Sequence, residues 1–225
     1  MKTYPYAIFD MDGTLLDSMK VWKNLGRNYL ELIGIRPPED LEEHLATMSM
    51  LEGAEYFHRE LGVKATPQEI IRGLNRQIED AYRETLPLKK GVREYLSYLQ
   101  EQGVKMGVLT ATPSYMAKLA FDRLNIGKYF EFVMDCEEAG GGKTEPGCYM
   151  EATRRLGGKP WETTVYEDAD FALVTAKKAG FYTVGIFDET MADRRAYLQE
   201  LCDRYVDSYV QLQGSIYACL KFLVV

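Results

Sequence analysis

The sequence predicts an α/β protein in which a doubly wound parallel sheet is interrupted by one all-helical insertion. Three observations carry that expectation. Short apolar runs recur along the chain, and each stops abruptly at a polar residue. Helical stripes separate those runs, the pattern of successive βαβ units. Residues 17–88 break the alternation and read as helices only.

The strands come first. Tyr6-Ala7-Ile8-Phe9 stops at Asp10, Met106-Gly107-Val108-Leu109 at Thr110, and Phe132-Val133-Met134 at Asp135. Thr164-Val165-Tyr166 stops at Glu167-Asp168, and Thr183-Val184-Gly185-Ile186-Phe187 at Asp188. Runs this short and apolar fit strands buried on both faces of a parallel sheet. Such sheets bind ligands beyond the carboxyl ends of their strands, so the closing polar residues mark the expected site.

The helices follow from spacing and caps. Between Gly91 and Gly103, Val92, Leu96 and Leu99 share one face. Thr112-Pro113 reads as an N-cap with proline at the first helical position, and Ala117, Ala120, Phe121 and Leu124 stripe the helix it opens. Tyr149, Ala152 and Leu156 mark a third helix, and Leu173, Ala176 and Ala179 a fourth that Gly180 stops. Inside the insertion, helices are expected over 19–33, 39–48, 51–61 and from 66 onward. The last opens with the capping box Thr66-Pro67-Gln68-Glu69. The expected division is a core of residues 1–16 and 89–225 with a helical cap of 17–88.

Composition narrows the class. A chain of 225 residues with 46% apolar and 27% charged residues is long enough to bury a sizeable core without staples. Its net charge of -7 works against nucleic acid and anionic membrane as partners. Cys136, Cys148, Cys202 and Cys219 have no metal-ligand spacing, and scattered thiols suit a reducing cytosol. The first residues run directly into a strand, leaving no room for a signal peptide. No stretch approaches the roughly 20 apolar residues that span a bilayer. A cytoplasmic protein is expected, with the terminal residues 221–225 packed on its body.

The chemistry concentrates in Phe9-Asp10-Met11-Asp12-Gly13-Thr14-Leu15-Leu16-Asp17-Ser18. Two carboxylates two residues apart follow a strand, and a glycine permits an immediate turn. Alone, such a pair also fits a turn whose aspartates cap backbone N–H groups. Phosphoryl transfer needs an anionic nucleophile, a cation to offset repulsion and a proton donor. Asp10 could attack phosphorus and form an aspartyl-phosphate, while Asp12 could protonate the leaving oxygen and later activate water.

This segment resembles the first motif of the haloacid dehalogenase-like superfamily, D-x-D-G-T-L-x-D, and further motifs follow in order. Thr110 resembles the second, a hydroxyl on the phosphoryl group, with Ala111 offering its backbone N–H. Lys143, ahead of Pro146, resembles the third; Glu137 stands where a Walker A loop would need its first glycine. Glu167-Asp168 resembles the fourth, with Ala172 where the family often has glycine. The resemblance implies a Rossmann-like core and a mobile helical cap over 17–88, of the subgroup that includes β-phosphoglucomutase and phosphoglycolate phosphatase. It implies Mg²⁺ held by the Asp10 and Asp168 carboxylates and the Asp12 carbonyl, with Glu167 as an outer partner. The implied activity is phosphatase action on a small phosphorylated metabolite such as a sugar phosphate, by a protein expected to be monomeric.

Two residues discriminate within the superfamily. Dehalogenases and phosphonatases lack an aspartate at the position of Asp12, so phosphoester chemistry is favoured. Mutases of the β-phosphoglucomutase pattern carry a histidine where this chain has Trp22, which favours hydrolysis over a hexose phosphomutase. A non-catalytic binder of phosphorylated ligands is a third reading, against which the intact motif set argues. Possible lid contacts are Trp22, Lys23, Arg27, His44, Ser49, Glu52, His58, Arg72 and Arg76.

Overall fold

A computed structural model describes residues 4–45, 48 and 50–213. Ser49, Cys219 and the 221–225 segment of the sequence reading lie outside the described residues. The chain separates into two compact units, Met1–Ser18 with Leu86–Val225, and Met19–Thr85.

The first unit is built on a six-stranded sheet: β1 (Tyr6–Phe9), β2 (Lys105–Thr110), β3 (Phe132–Asp135), β4 (Thr163–Glu167), β5 (Tyr182–Ile186) and β6 (Arg204–Val206). Its order is β3-β2-β1-β4-β5-β6 and every pairing is parallel, the doubly wound arrangement. The five apolar runs became strands; β6 is a sixth that the sequence reading lacked.

Both faces of the sheet are covered. Ile8, Leu109, Met134 and Val165 pack with Tyr149, Ala152 and Leu156 of the helix Gly147–Leu156 and with Ala176 of Asp170–Lys178. On the other face Phe9 stacks on Tyr166 with ring centroids 4.2 Å apart, and Tyr95 of the helix Val92–Glu101 approaches Tyr166 edge-on. The Tyr95 and Tyr166 hydroxyls satisfy each other at 2.6 Å, so the aromatic layer strands neither polar tip. Each fully buried side chain of this size contributes roughly 1.5–3 kcal/mol, which is what holds these strands at the centre.

The second unit is all helical: Met19–Lys23, Leu25–Leu32, Leu41–Leu45, Met50–Arg59 and Pro67–Glu84. The stripe expected over 19–33 is broken at Asn24, whose side chain donates back to the Lys20 carbonyl at 2.8 Å. The capping box forms as the sequence implied, Thr66 accepting from Glu69 N–H and Glu69 accepting from Thr66 N–H, with proline in the first turn. Ile70, Leu74, Ile78 and Tyr82 bury the stripe of that helix. Several of the suggested lid contacts have partners inside this unit. Arg27 grips both oxygens of Glu42 at 2.6 Å, and Trp22 Nε1 donates to the Tyr82 hydroxyl at 3.1 Å. His58 Nδ1 lies 3.0 Å from the carbonyls of Val63 and Ala65.

Candidate active site

The centre of the sheet positions the site. The strand order reverses between β1 and β4, the switch point at which such sheets bind ligands beyond their strand tips. Phe9 is in register with Val108 on one side and Tyr166 on the other. Asp10, Thr110 and Glu167-Asp168 therefore emerge at one edge. Asp10 N–H donates to the Tyr166 carbonyl at 3.0 Å, which extends the β1–β4 pairing through the aspartate. The chain then turns sharply: Leu15 and Leu16 N–H both reach the Met11 carbonyl, and Gly13 takes φ of +82°. Only glycine adopts that backbone without strain, which is why it follows Asp12. Leu16 bridges Leu88, and Lys89 N–H donates to the Leu15 carbonyl at 2.9 Å, tying off the two ends of the excised segment.

Three carboxylates converge here. Ligand oxygens of Asp10, Glu167 and Asp168 all lie within 4.8 Å of one another, and all three side chains are buried. Lys143 Nζ is ion-paired with Asp10 Oδ1 and donates to Glu167 Oε1 at 2.7 Å. The Tyr149 hydroxyl donates to the same Glu167 oxygen at 3.0 Å, and the Thr14 hydroxyl to Asp168 Oδ1 at 3.0 Å. Asp10 Oδ2 is buried with no protein partner.

The electrostatics are unbalanced. Burial pushes Asp168 well above the usual carboxylate range, and the charges of Asp10 and Glu167 push it further. Burial likewise lifts Glu167 to about 7 against the pull of Lys143. Burial alone would lower Lys143; the Asp10 and Glu167 carboxylates outweigh it and hold the ammonium charged. Three buried carboxyl groups facing one ammonium, with one orphaned oxygen among them, form a hard-oxygen donor set that fits a divalent cation of the Mg²⁺ type.

Asp12 stands outside that cluster. Its Oδ1 accepts from the Ser18 hydroxyl at 2.6 Å and its Oδ2 from the Thr112 hydroxyl at 2.7 Å. Thr110 is buried at the end of β2 and its Oγ1 accepts from Thr112 N–H at 3.0 Å, while Ala111 is exposed beside it.

One sequence reading needs correction. Thr112 is not an N-cap: the helix starts at Ser114 with Pro113 at the cap position and no side-chain cap bond. A hydroxyl facing a carboxylate makes the stronger, charge-assisted bond, and Asp12 wins it. Glu167, expected as an outer partner of the cation, shares one oxygen between Lys143 and Tyr149 beside Asp10 and Asp168. The reading also gave no role to Thr14, Ser18 or Tyr149. The first two lie inside the first motif, where their hydroxyls were a usable signal; Tyr149 looked like a packing residue on an apolar stripe.

Residues 7–186 match the family model of the haloacid dehalogenase-like hydrolases. The chain belongs to that family. Among relatives of this hydrolase is the phosphorylated carbohydrates phosphatase of Thermotoga maritima, 27% identical over 86% of this chain and 89% of that protein. Hexitol phosphatase B of Escherichia coli is 26% identical over 77% and 79%. The solved structure of a candidate β-phosphoglucomutase from Thermotoga maritima superposes with a TM-score of 0.79 at 27% identity, covering 89% of this chain and 93% of that one.

Proposed function

We propose that this haloacid dehalogenase-like hydrolase is a Mg²⁺-dependent phosphatase of small phosphorylated metabolites, with Asp10 as its nucleophile. One observation carries the reading: Lys143 holds one oxygen of Asp10 while the other is buried, unpartnered and surrounded by Glu167 and Asp168. A buried carboxylate left in that state costs stability, a cost that a fold keeps where the group serves a reaction.

The residues divide the work as follows. Asp10 attacks phosphorus, forming the carboxyl–phosphorus bond of an aspartyl-phosphate as the bond to the leaving oxygen breaks. Asp12 gives that oxygen its proton, and the alcohol departs. Asp12, now a carboxylate, takes a proton from the incoming water, whose oxygen displaces Asp10 and releases inorganic phosphate. Thr110, the Ala111 N–H and Lys143 hold the phosphoryl oxygens. Asp10, Asp168 and the Asp12 carbonyl would hold Mg²⁺, which when bound offsets the negative charge gathered at phosphorus.

The names of the relatives, a phosphatase of phosphorylated carbohydrates and a hexitol phosphatase, support a sugar or sugar-alcohol phosphate as substrate. A phosphomutase is the second reading, favoured by the structural likeness to a candidate β-phosphoglucomutase. Trp22 weakens it, because an indole bonded to Tyr82 offers no acid–base group. Among the described residues no helix is long and apolar enough to cross a membrane. The test is phosphate release from p-nitrophenyl phosphate and a sugar-phosphate panel, with Mg²⁺ and with chelator. Mg²⁺-dependent release is expected. Conversion of a hexose 1-phosphate to the 6-phosphate would favour the mutase, and silence across the panel would favour a binding protein.

A further inference from the structure

The hydroxyl of Thr112 is diverted from the task its position suggests. The helix Ser114–Leu124 has no side-chain cap of its own, and Ser114 N–H is served by Asp135 Oδ2 at 2.9 Å. Thr112 instead donates across 100 residues of sequence to Asp12 Oδ2 at 2.7 Å. Ser18 takes the other oxygen, so the Asp12 carboxylate is held at both ends and cannot rotate about its Cβ–Cγ bond. Thr112 is itself only 5% exposed, and its N–H donates to Thr110 Oγ1 at 3.0 Å. One buried residue thus connects the phosphoryl-binding position at the tip of β2 with the acid–base group after β1.

We propose that Thr112 is a positioning residue for Asp12, fixing the carboxyl group so that its proton faces the leaving oxygen. The inference rests on the acid–base role proposed for Asp12. A carboxyl group keeps acceptor capacity even when it carries a proton, so Thr112 can go on donating to Asp12 while that proton is directed at the leaving oxygen. Proximity of this kind supplies orientation that a carboxyl pinned at one oxygen would lose.

The leaving group provides the test. A hexitol phosphate expels a poor alkoxide that needs the proton of Asp12, whereas p-nitrophenyl phosphate expels a stable phenolate that does not. Thr112→Val is expected to lower kcat/KM for the hexitol phosphate at least about tenfold, the low end of general-acid contributions. The loss with p-nitrophenyl phosphate should be at least about fivefold smaller, following Brønsted dependence on the leaving group. Thr112→Ser, which restores the hydroxyl, should recover the hexitol phosphate rate to within about threefold. Added to Asp12→Asn, Thr112→Val should cost less than about twofold more, because coupled groups are not additive.

Equal losses on both substrates, or additive losses in the double variant, would overturn the proposal. So would a Thr112→Val enzyme that matches the parent while Asp12→Asn is crippled. Full turnover of the hexitol phosphate by Asp12→Asn would instead sink the Asp12 assignment itself. If Thr112→Val fails to fold by far-UV circular dichroism, Thr112→Ala against Thr112→Ser asks the same question: alanine must show the substrate-selective loss and serine must not.

Discussion

In the sheet unit, three acidic side chains are driven together out of water with one ammonium between them. In the helical unit the best-made ion pair, Arg27 with Glu42, couples opposite charges in fork geometry while each side chain keeps about a quarter of its surface in solvent. The helical arrangement is what stability alone would select. The sheet arrangement is one it would reject, since burying like charges raises the free energy of the folded state. A fold retains such a cost where the charges do something, so the contrast between the units marks where the chemistry lies. The helical unit carries a different feature, a cavity of about 400 Å³ opening among Trp22, Gly26, Leu45, Met48, Phe57 and Leu74.

The sharpest way to break that contrast is to remove the nucleophile. Asp10→Asn should drop turnover below about one per cent of the parent, because the covalent step itself is lost. It should not weaken the metal-free fold, since it thins a crowd of three buried carboxyl groups. A variant retaining several per cent of the rate, after contamination is excluded, would contradict the assignment.

Next comes the cation. A ligand that binds the folded state alone stabilises it by about 2.7 kcal/mol at one hundred times its dissociation constant. Saturating Mg²⁺ should raise the melting temperature of the parent measurably, and Asp168→Ala should abolish that rise while increasing the Mg²⁺ needed for activity. An unchanged thermal shift in Asp168→Ala would remove residue 168 from the cation site.

A smaller effect concerns pH. Glu167, pushed up to about 7 by burial, holds a proton in the metal-free folded state that the unfolded chain has already released. Metal-free stability should therefore fall as pH rises from the ordinary carboxylate range to about 7. Mg²⁺ should flatten that slope by favouring the charged form. Urea midpoints across the range, with and without Mg²⁺, check the sign.

The smallest prediction sharpens the contrast from the other side. Thr66→Ala removes the cap of Pro67–Glu84 and should cost about 1 kcal/mol of stability, as N-cap losses do. The Mg²⁺-induced thermal shift should be unaltered, because the cap and the carboxylates belong to different units.

What could be read ahead of the structure follows the same physics. Asp10 and Asp12 were legible because a strand, a turn glycine and two carboxylates sit within a few residues of one another. The strands of the sheet interior were legible because burial on both faces leaves no charged residue within their runs. β6 was not: Arg204-Tyr205-Val206 is three residues long, opens with a charge and pairs only with β5, so no periodicity betrays it. Thr112 was misread because capping is a local rule and the competing acceptor is 100 residues away. Tyr149 was read for its ring, which packs in the core as expected, while the partner of its hydroxyl is set by the tertiary fold.

The parallel register around β1 also governs where this chain can be lengthened. Inserting a single residue within Tyr6–Phe9 would exchange inward and outward faces and carry Asp10 away from Tyr166. At Gly141 and Gly142 an added Cβ would meet no atom within 4 Å, although Lys143 follows directly. Evolution, or an engineer, has latitude to add side chains at those glycines and none to add a residue along the central strand.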